Sequence, residues 1–103
     1  MFIVSLHYTA PLDVVDALLD RHVVWLRKAY ADGAFLASGR KEPRTGGVII
    51  AVGPRADLQA RLAEDPFSQA GVARYDITEF IPTMTVEALA PWREPAAGPA
   101  RSS

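Results

Sequence analysis

The order of strand and helix patterns constrains the fold of this chain more than any other feature. Residues 2–8 alternate apolar and polar side chains with the period of a strand that has two different faces. Residues 11–32 then show the spacing of an amphipathic helix, which Gly33 is suited to end. Two strand patterns, a short helix pattern near residues 58–64 and a strand at residues 75–81 follow. The order βαββαβ predicts an α+β domain with one antiparallel sheet and both helices on one face.

The two middle strands differ in how they are expected to be covered. Residues 35–39 form a short strand, residues 44–47 turn the chain, and residues 48–52 run on without a polar side chain. A strand of that kind is typically covered on both faces. The sheet face away from the helices holds Ile3, Ser5 and His7 from the first strand, a mixed set compatible with a subunit interface or a ligand cavity. We therefore expect a homodimer.

Composition narrows the classes of partner and location. The chain has 11 Lys and Arg against 12 Asp and Glu, so no strong field attracts nucleic acid or an anionic membrane. It contains no cysteine, and no apolar run approaches the roughly 20 residues that span a bilayer. The first residues read as a strand and not as a signal peptide, so a cytoplasmic protein is expected. We predict a domain over residues 1–82, followed by a Pro-rich, partly disordered tail over residues 83–103.

One histidine lies on the apolar face of the first predicted helix. His22 shares a narrow arc with five apolar side chains, Val15, Leu18, Leu19, Leu26 and Ala29. Burial of an imidazole costs free energy unless the ring gains a hydrogen-bond partner. His22 is therefore either a satisfied core residue or the reactive group of a pocket.

Several short motifs resemble the YciI-like (YCII-related) family. They are RHVVWL at residues 21–26, DGAFLASG at 32–39, AEDPF at 63–67 and GV at 71–72, and the resemblance covers residues 1–82. It implies a ferredoxin-like fold of the dimeric α+β barrel type. It also implies an active site at His22 and Asp65, and proton transfer or elimination on small organic molecules, sometimes linked to the breakdown of aromatic compounds. The loop at residues 41–44 departs from the family pattern, since it is more charged.

The residue types in these motifs suit acid–base chemistry. A neutral imidazole is an effective general base near neutral pH, and a carboxylate on one ring nitrogen fixes the tautomer and stabilises the charged ring. Asp65 is the candidate for that role, with one carboxylate oxygen meeting His22 and the other capping a helix. No serine or cysteine has the context of a nucleophile, so proton transfer fits better than acyl transfer. Ser38, Gly39 and His7 are candidate substrate-binding residues.

Each candidate also has a structural interpretation. Asp65 followed by Pro66 is a typical helix N-cap, His7 suits an interface strand, and Ser38 suits a crowded strand end. Arg40, Lys41 and Arg44 are interpreted as a solvated loop. The histidines lack metal-binding spacing, so neither a metal nor another cofactor is predicted.

Three functions remain open. The first is a lyase or isomerase that acts on a small organic acid or an aromatic-derived compound with His22 as general base. The second is a non-catalytic dimeric module that binds a small ligand. The third is a structural interaction protein without a working pocket.

Overall fold

A four-stranded antiparallel sheet forms the centre of the domain. A computed structural model describes residues 1–94. The strands are β1 (Phe2–Tyr8), β2 (Phe35–Arg40), β3 (Gly46–Ala51) and β4 (Ala73–Glu79), in the order β2-β3-β1-β4. β1 lies in the middle and pairs antiparallel with both β3 and β4. The ferredoxin-like α+β fold expected from the order of patterns is confirmed.

The helices depart from the sequence prediction at one point. The single helix expected over residues 11–32 is two helices, α1 (Leu12–Asp16) and α2 (Leu19–Ala31). The break follows from the backbone: the Leu18 amide donates to the Val15 carbonyl, which tightens the turn before α2 begins. Further along lie α3 (Arg55–Ala63) and the four-residue α4 (Pro66–Gln69).

The core lies between the helices and one face of the sheet. Alternate residues of β1 face the core and are buried, namely Phe2, Val4 and Leu6. They pack with buried side chains from α1 to α4: Val15, Trp25, Ala29, Leu58, Leu62 and Phe67. Gly46 of β3 is required by close packing, since a Cβ there would lie 1.8 Å from the Leu6 carbonyl oxygen. Burial of these apolar side chains is the main stabilising contribution to the domain.

Among residues 1–94, no helix lies on the opposite face of the sheet. Ile3 is 39% exposed there, and Val48 and Ile50 are only partly buried. The prediction that residues 48–52 are covered on both faces is therefore wrong for the single chain. One face of β3 packs on the helices, and the other is open.

The residues after β4 return along the domain. A 3₁₀ helix spans Glu87–Trp92, and the Glu94 amide donates to the Pro82 carbonyl at 2.8 Å. Trp92 is partly buried and lies beside Gly53 and Pro54. The rest of the predicted tail, residues 95–103, lies outside the described residues. Within residues 1–94, every helix is too short or too polar to cross a membrane.

Candidate active site

His22 lies on the inner face of α2 and is held by a carboxylate. Its side chain is buried, and Nδ1 lies 2.8 Å from Oδ1 of Asp65. The two residues are 43 positions apart in sequence, so the fold brings them together. The polar partner that a buried imidazole requires is thus supplied by a charged group.

Asp65 is fully buried at the start of α4. Its Oδ1 accepts a hydrogen bond from the Phe67 amide at 3.0 Å, the contact of a helix N-cap, with Pro66 at the first helical position. Its Oδ2 accepts from the hydroxyl of Tyr75. The expectation of one oxygen for His22 and the other for the cap is wrong, because Oδ1 serves both. A carboxylate only accepts hydrogen bonds, so Nδ1 of His22 carries the proton that it donates to Asp65. In the neutral ring Nε2 then carries no proton and is a hydrogen-bond acceptor.

Tyr75 is the third member of this group, and sequence reasoning missed it. It lies on β4 opposite Leu6, so its side chain faces the helices. Burial and the hydrogen bond to Asp65 raise the pKa of Tyr75 well above its ordinary value, so the hydroxyl remains a donor. The available signal was the alternation of Tyr75 and Ile77 along the last strand, since a tyrosine facing the core usually finds a partner for its hydroxyl.

Aromatic rings fix the plane of the imidazole. Phe67 stacks on His22 with ring centroids 4.0 Å apart and an interplanar angle of 7°. Trp25, one turn along α2, lies 5.4 Å from His22 by the same measure. Its indole N–H donates to the Arg61 carbonyl at 3.0 Å, which ties α2 to α3. The imidazole therefore has both a fixed orientation and an apolar surround.

A cleft of about 600 Å³ opens beside His22, between α2 and the sheet. Its apolar wall includes Leu6, Leu19, Val23, Leu26, Ile49 and Phe67. Ser38 and Gly39 of β2 line it as well, and the Ser38 hydroxyl lies 2.6 Å from that of Tyr30. Because Asp65 engages Nδ1, Nε2 is the nitrogen of His22 left for a molecule in the cleft. A volume of this size suits a small organic ligand.

Charged side chains surround the cleft mouth. Arg40 and Arg44, interpreted from sequence as a solvated loop, both line it together with Asp16. Arg44 donates to Asp16 at 2.5 Å, and its guanidinium lies 5.8 Å from the centre of the Tyr8 ring. That hydrogen bond lowers the pKa of Asp16 and keeps it ionised.

His7 lies apart from this group. Strand alternation places it on the open face of the sheet, where Nε2 is 3.4 Å from Oδ2 of Asp76 and Lys41 is in hydrogen-bond range of the ring. The structure therefore does not bring His7 into the cleft with His22, Ser38 and Gly39. Within residues 1–94, no three His, Cys, Asp or Glu side chains are grouped to hold a metal ion.

Fold and site together define a class: a small ferredoxin-like α+β domain with a histidine-lined cleft between one helix and the sheet. Comparison with protein families agrees, since the model of the YCII-related domain matches residues 1–81. The chain belongs to the YCII-related family. A search of curated proteins found no significant match.

A solved structure shares the fold. It is 5-chloro-2-hydroxyhydroquinone dehydrochlorinase (TftG) from Burkholderia phenoliruptrix AC1100, in complex with 2,5-dihydroxybenzoquinone. The TM-score is 0.66 at 17% sequence identity, and the match covers 80% of this chain and 95% of that chain. At this identity the similarity establishes the fold.

Proposed function

We propose that this protein is a small-molecule enzyme in which His22 acts as general base and Asp65 orients it. The observation that carries the proposal is the 2.8 Å contact from His22 Nδ1 to a fully buried carboxylate, on a ring that also lines the cleft. That arrangement leaves Nε2 as a proton acceptor and stabilises the imidazolium that forms.

The reaction that fits these groups begins at a carbon next to a carbonyl. Nε2 takes the proton, and the electron pair of the C–H bond moves toward the carbonyl to give an enolate. In an isomerisation the imidazolium returns the proton elsewhere on the enolate. In an elimination the enolate re-forms the carbonyl and expels a leaving group with its bonding electrons. The Ser38–Tyr30 hydroxyl pair supplies a donor at the cleft wall for the developing oxyanion.

The substrate class follows from the cleft and the comparison. An apolar cleft of about 600 Å³ suits a small organic acid or an aromatic-derived compound. The structurally similar dehydrochlorinase binds a hydroxylated benzoquinone. A lyase or isomerase reaction on a molecule of that size is our proposal for this chain, and the alternative is a module that binds such a ligand without turning it over.

Deuterium incorporation from D₂O tests the proposal. The protein is incubated with a panel of small keto acids and hydroxyquinones, and exchange of carbon-bound protons is followed by NMR. His22→Asn should lower the rate of any accepted compound by about 10²- to 10⁴-fold. His7→Asn is the matched control, because His7 lies on the other face of the sheet. Unchanged exchange in His22→Asn contradicts the proposal, and binding without exchange favours the non-catalytic alternative.

A second proposal concerns assembly: a second copy of the chain covers the open sheet face and gives a homodimer. Ile3 and Ile50 lie directly opposite each other on β1 and β3, at the centre of that face. Ser5 pairs with Val48 in the next row, and Ile3 also lies opposite Thr78 of β4. A partly apolar sheet face of this kind is typical of a surface that packs against another protein layer.

A further inference from the structure

Strand pairing places an arginine at the end of the cleft. In the antiparallel sheet Arg40 lies opposite Gly47, and Gly47 lies opposite Leu6. Residues directly opposite one another share a sheet face, so all three lie on the face that Leu6 turns toward the helices. Gly47 contributes no side chain to this row, and Leu6, Gly47 and Arg40 all line the cleft.

The two arginines of the cleft differ in whether a carboxylate pairs with them. Arg44 is bound to Asp16, a carboxylate that also lines the cleft. Arg40 lines the cleft as well, and within residues 1–94 it has no carboxylate partner. The lining of the cleft thus includes a guanidinium without an ion-pair partner among the described residues. A guanidinium in that position attracts an anion, and its planar fork matches a carboxylate.

The apolar walls of the cleft indicate which chemical groups the ligand has besides its negative charge. Leu19, Val23 and Leu26 line the cleft from α2, and Ile49 faces them from β3. These side chains offer no hydrogen bonds, so they favour an apolar body such as a ring or a short hydrocarbon chain. His22 lies among them, so a molecule anchored by its charge in this cleft presents its apolar part beside the imidazole.

We propose that Arg40 binds the carboxylate of a small acid whose ring or hydrocarbon body lies against His22. This inference rests on the proposed function for the identity of the cleft, and it narrows the substrate to a molecule with one carboxylate beside an apolar body. The two arginines have distinct roles: Arg40 binds the ligand, and Arg44 holds α1 to the β2–β3 turn through Asp16.

Binding of benzoate, compared with benzamide, tests the inference. The two probes have the same ring and nearly the same shape, and only benzoate is charged. Dissociation constants are measured by NMR titration of the full chain, with the ring signals of His22 reporting whether the probe lies in the cleft. Benzoate should bind at least about tenfold more tightly than benzamide, the scale of one charge-assisted hydrogen-bonded pair. The difference should shrink at high salt, because the site is open to solvent.

Variants of Arg40, with matched controls, locate the anion site. Arg40→Gln should remove the preference for benzoate and leave the affinity for benzamide unchanged, while Arg40→Lys should keep part of the preference. Arg27→Gln is the matched control, since Arg27 is exposed on the outer side of α2. His22→Asn, followed by the backbone amide signals of the cleft residues, should retain the preference for benzoate. Loss of deuterium exchange in that variant can therefore be told apart from loss of anion binding in Arg40→Gln.

The inference is overturned by any of three results. These are equal binding of the two probes, no benzoate binding at all, or a preference that survives Arg40→Gln. If the preference survives Arg40→Gln and is lost in Arg44→Gln, the anion lies on the other arginine. None of these results bears on His22-dependent exchange, which tests the proposed function separately.

Discussion

The imidazole of His22 lies nearly parallel to the phenyl ring of Phe67, with centroids 4.0 Å apart. Phe67 belongs to α4, the same four-residue helix whose N-cap is Asp65. One short helix therefore provides both the carboxylate that binds His22 in its plane and the ring that covers its face. The position of α4 against α2 consequently determines the orientation of the imidazole.

Replacement of Phe67 by leucine should loosen that orientation. The variant keeps an apolar side chain at a position that is 1% exposed, so the free energy of unfolding should fall by only about 1 kcal/mol. The NMR signals of the His22 ring should broaden or shift, because the stacked partner is gone. Phe35→Leu is the control, since Phe35 is equally buried and contacts Trp25 and Tyr30 instead. Identical His22 spectra in the wild type and Phe67→Leu would show that the stack does not constrain the ring.

Replacement of Asp65 by asparagine separates its charge from its capping role. Asparagine caps a helix nearly as well as aspartate, so α4 should persist. The amide carries no negative charge and has only one accepting atom for the three donors that now meet the carboxylate. Stability should fall by about 1–3 kcal/mol, and the NMR signals of the His22 ring should shift, since the carboxylate that holds Nδ1 is absent.

The matched control for this variant is Asp57→Asn, in the first turn of α3. That aspartate is exposed, and the hydrogen bond to His22 Nδ1 comes from Asp65 instead, so neither stability nor the His22 ring signals should change appreciably. If Asp65→Asn also leaves the His22 ring signals unchanged, capping is the whole role of Asp65.

Patterns along the chain predicted the fold because they reflect local geometry. Alternation in β1 and the helical spacing around His22 report which side chains face the core, and the Asp65-Pro66 pair reports a helix start directly. The break between α1 and α2 carries no such signal. The break falls at Ala17 and Leu18, and neither is a glycine or a proline, so nothing in the local sequence marks the tightened turn.

The composition of the site was less predictable than the fold. His22 and Tyr75 each form a hydrogen bond to Asp65. The bond from Tyr75 depends on the packing of β4 beside β1. The periodicity of the sequence carries no information about such a long-range contact. Arg40 was interpreted as part of a solvated loop. It is exposed, but it is the last residue of β2, and its place on the cleft depends on the β2–β3 register, which brings it opposite Gly47.

A charge on the open sheet face should disrupt the proposed homodimer. Ile50→Glu places a carboxylate at the centre of that face, opposite Ile3, where a partner sheet would have to bury it. Sedimentation velocity at micromolar concentration should show a dimer for the wild type and a monomer for the variant. Val24→Glu, at a position 66% exposed on α2, should remain dimeric. A wild type that sediments only as a monomer would rule out the assembly.

Tyr75 should make the stability of the domain depend on alkaline pH. Its hydroxyl donates to Asp65, and burial together with that bond raises the pKa of Tyr75 above the value of about 10 expected for an unfolded chain. A group whose pKa is raised by folding stabilises the protein fully below its unfolded pKa, and the stabilisation is lost as pH rises toward the folded value. The contribution of Tyr75 should therefore be complete at pH 8 and should decline above pH ~10.

Urea unfolding of Tyr75→Phe at pH 8 and pH 11 measures this effect. At pH 8 the variant should be less stable than the wild type by about 1–2 kcal/mol, because Oδ2 of the buried Asp65 loses its donor. At pH 11 the gap should narrow, since only the wild type has Tyr75 to deprotonate on unfolding. Tyr30→Phe is the control: Tyr30 is 39% exposed and bonds Ser38 instead of a buried carboxylate, so its effect should be smaller at pH 8. A gap between wild type and Tyr75→Phe that is equal at both pH values would show that the phenol is not coupled to Asp65.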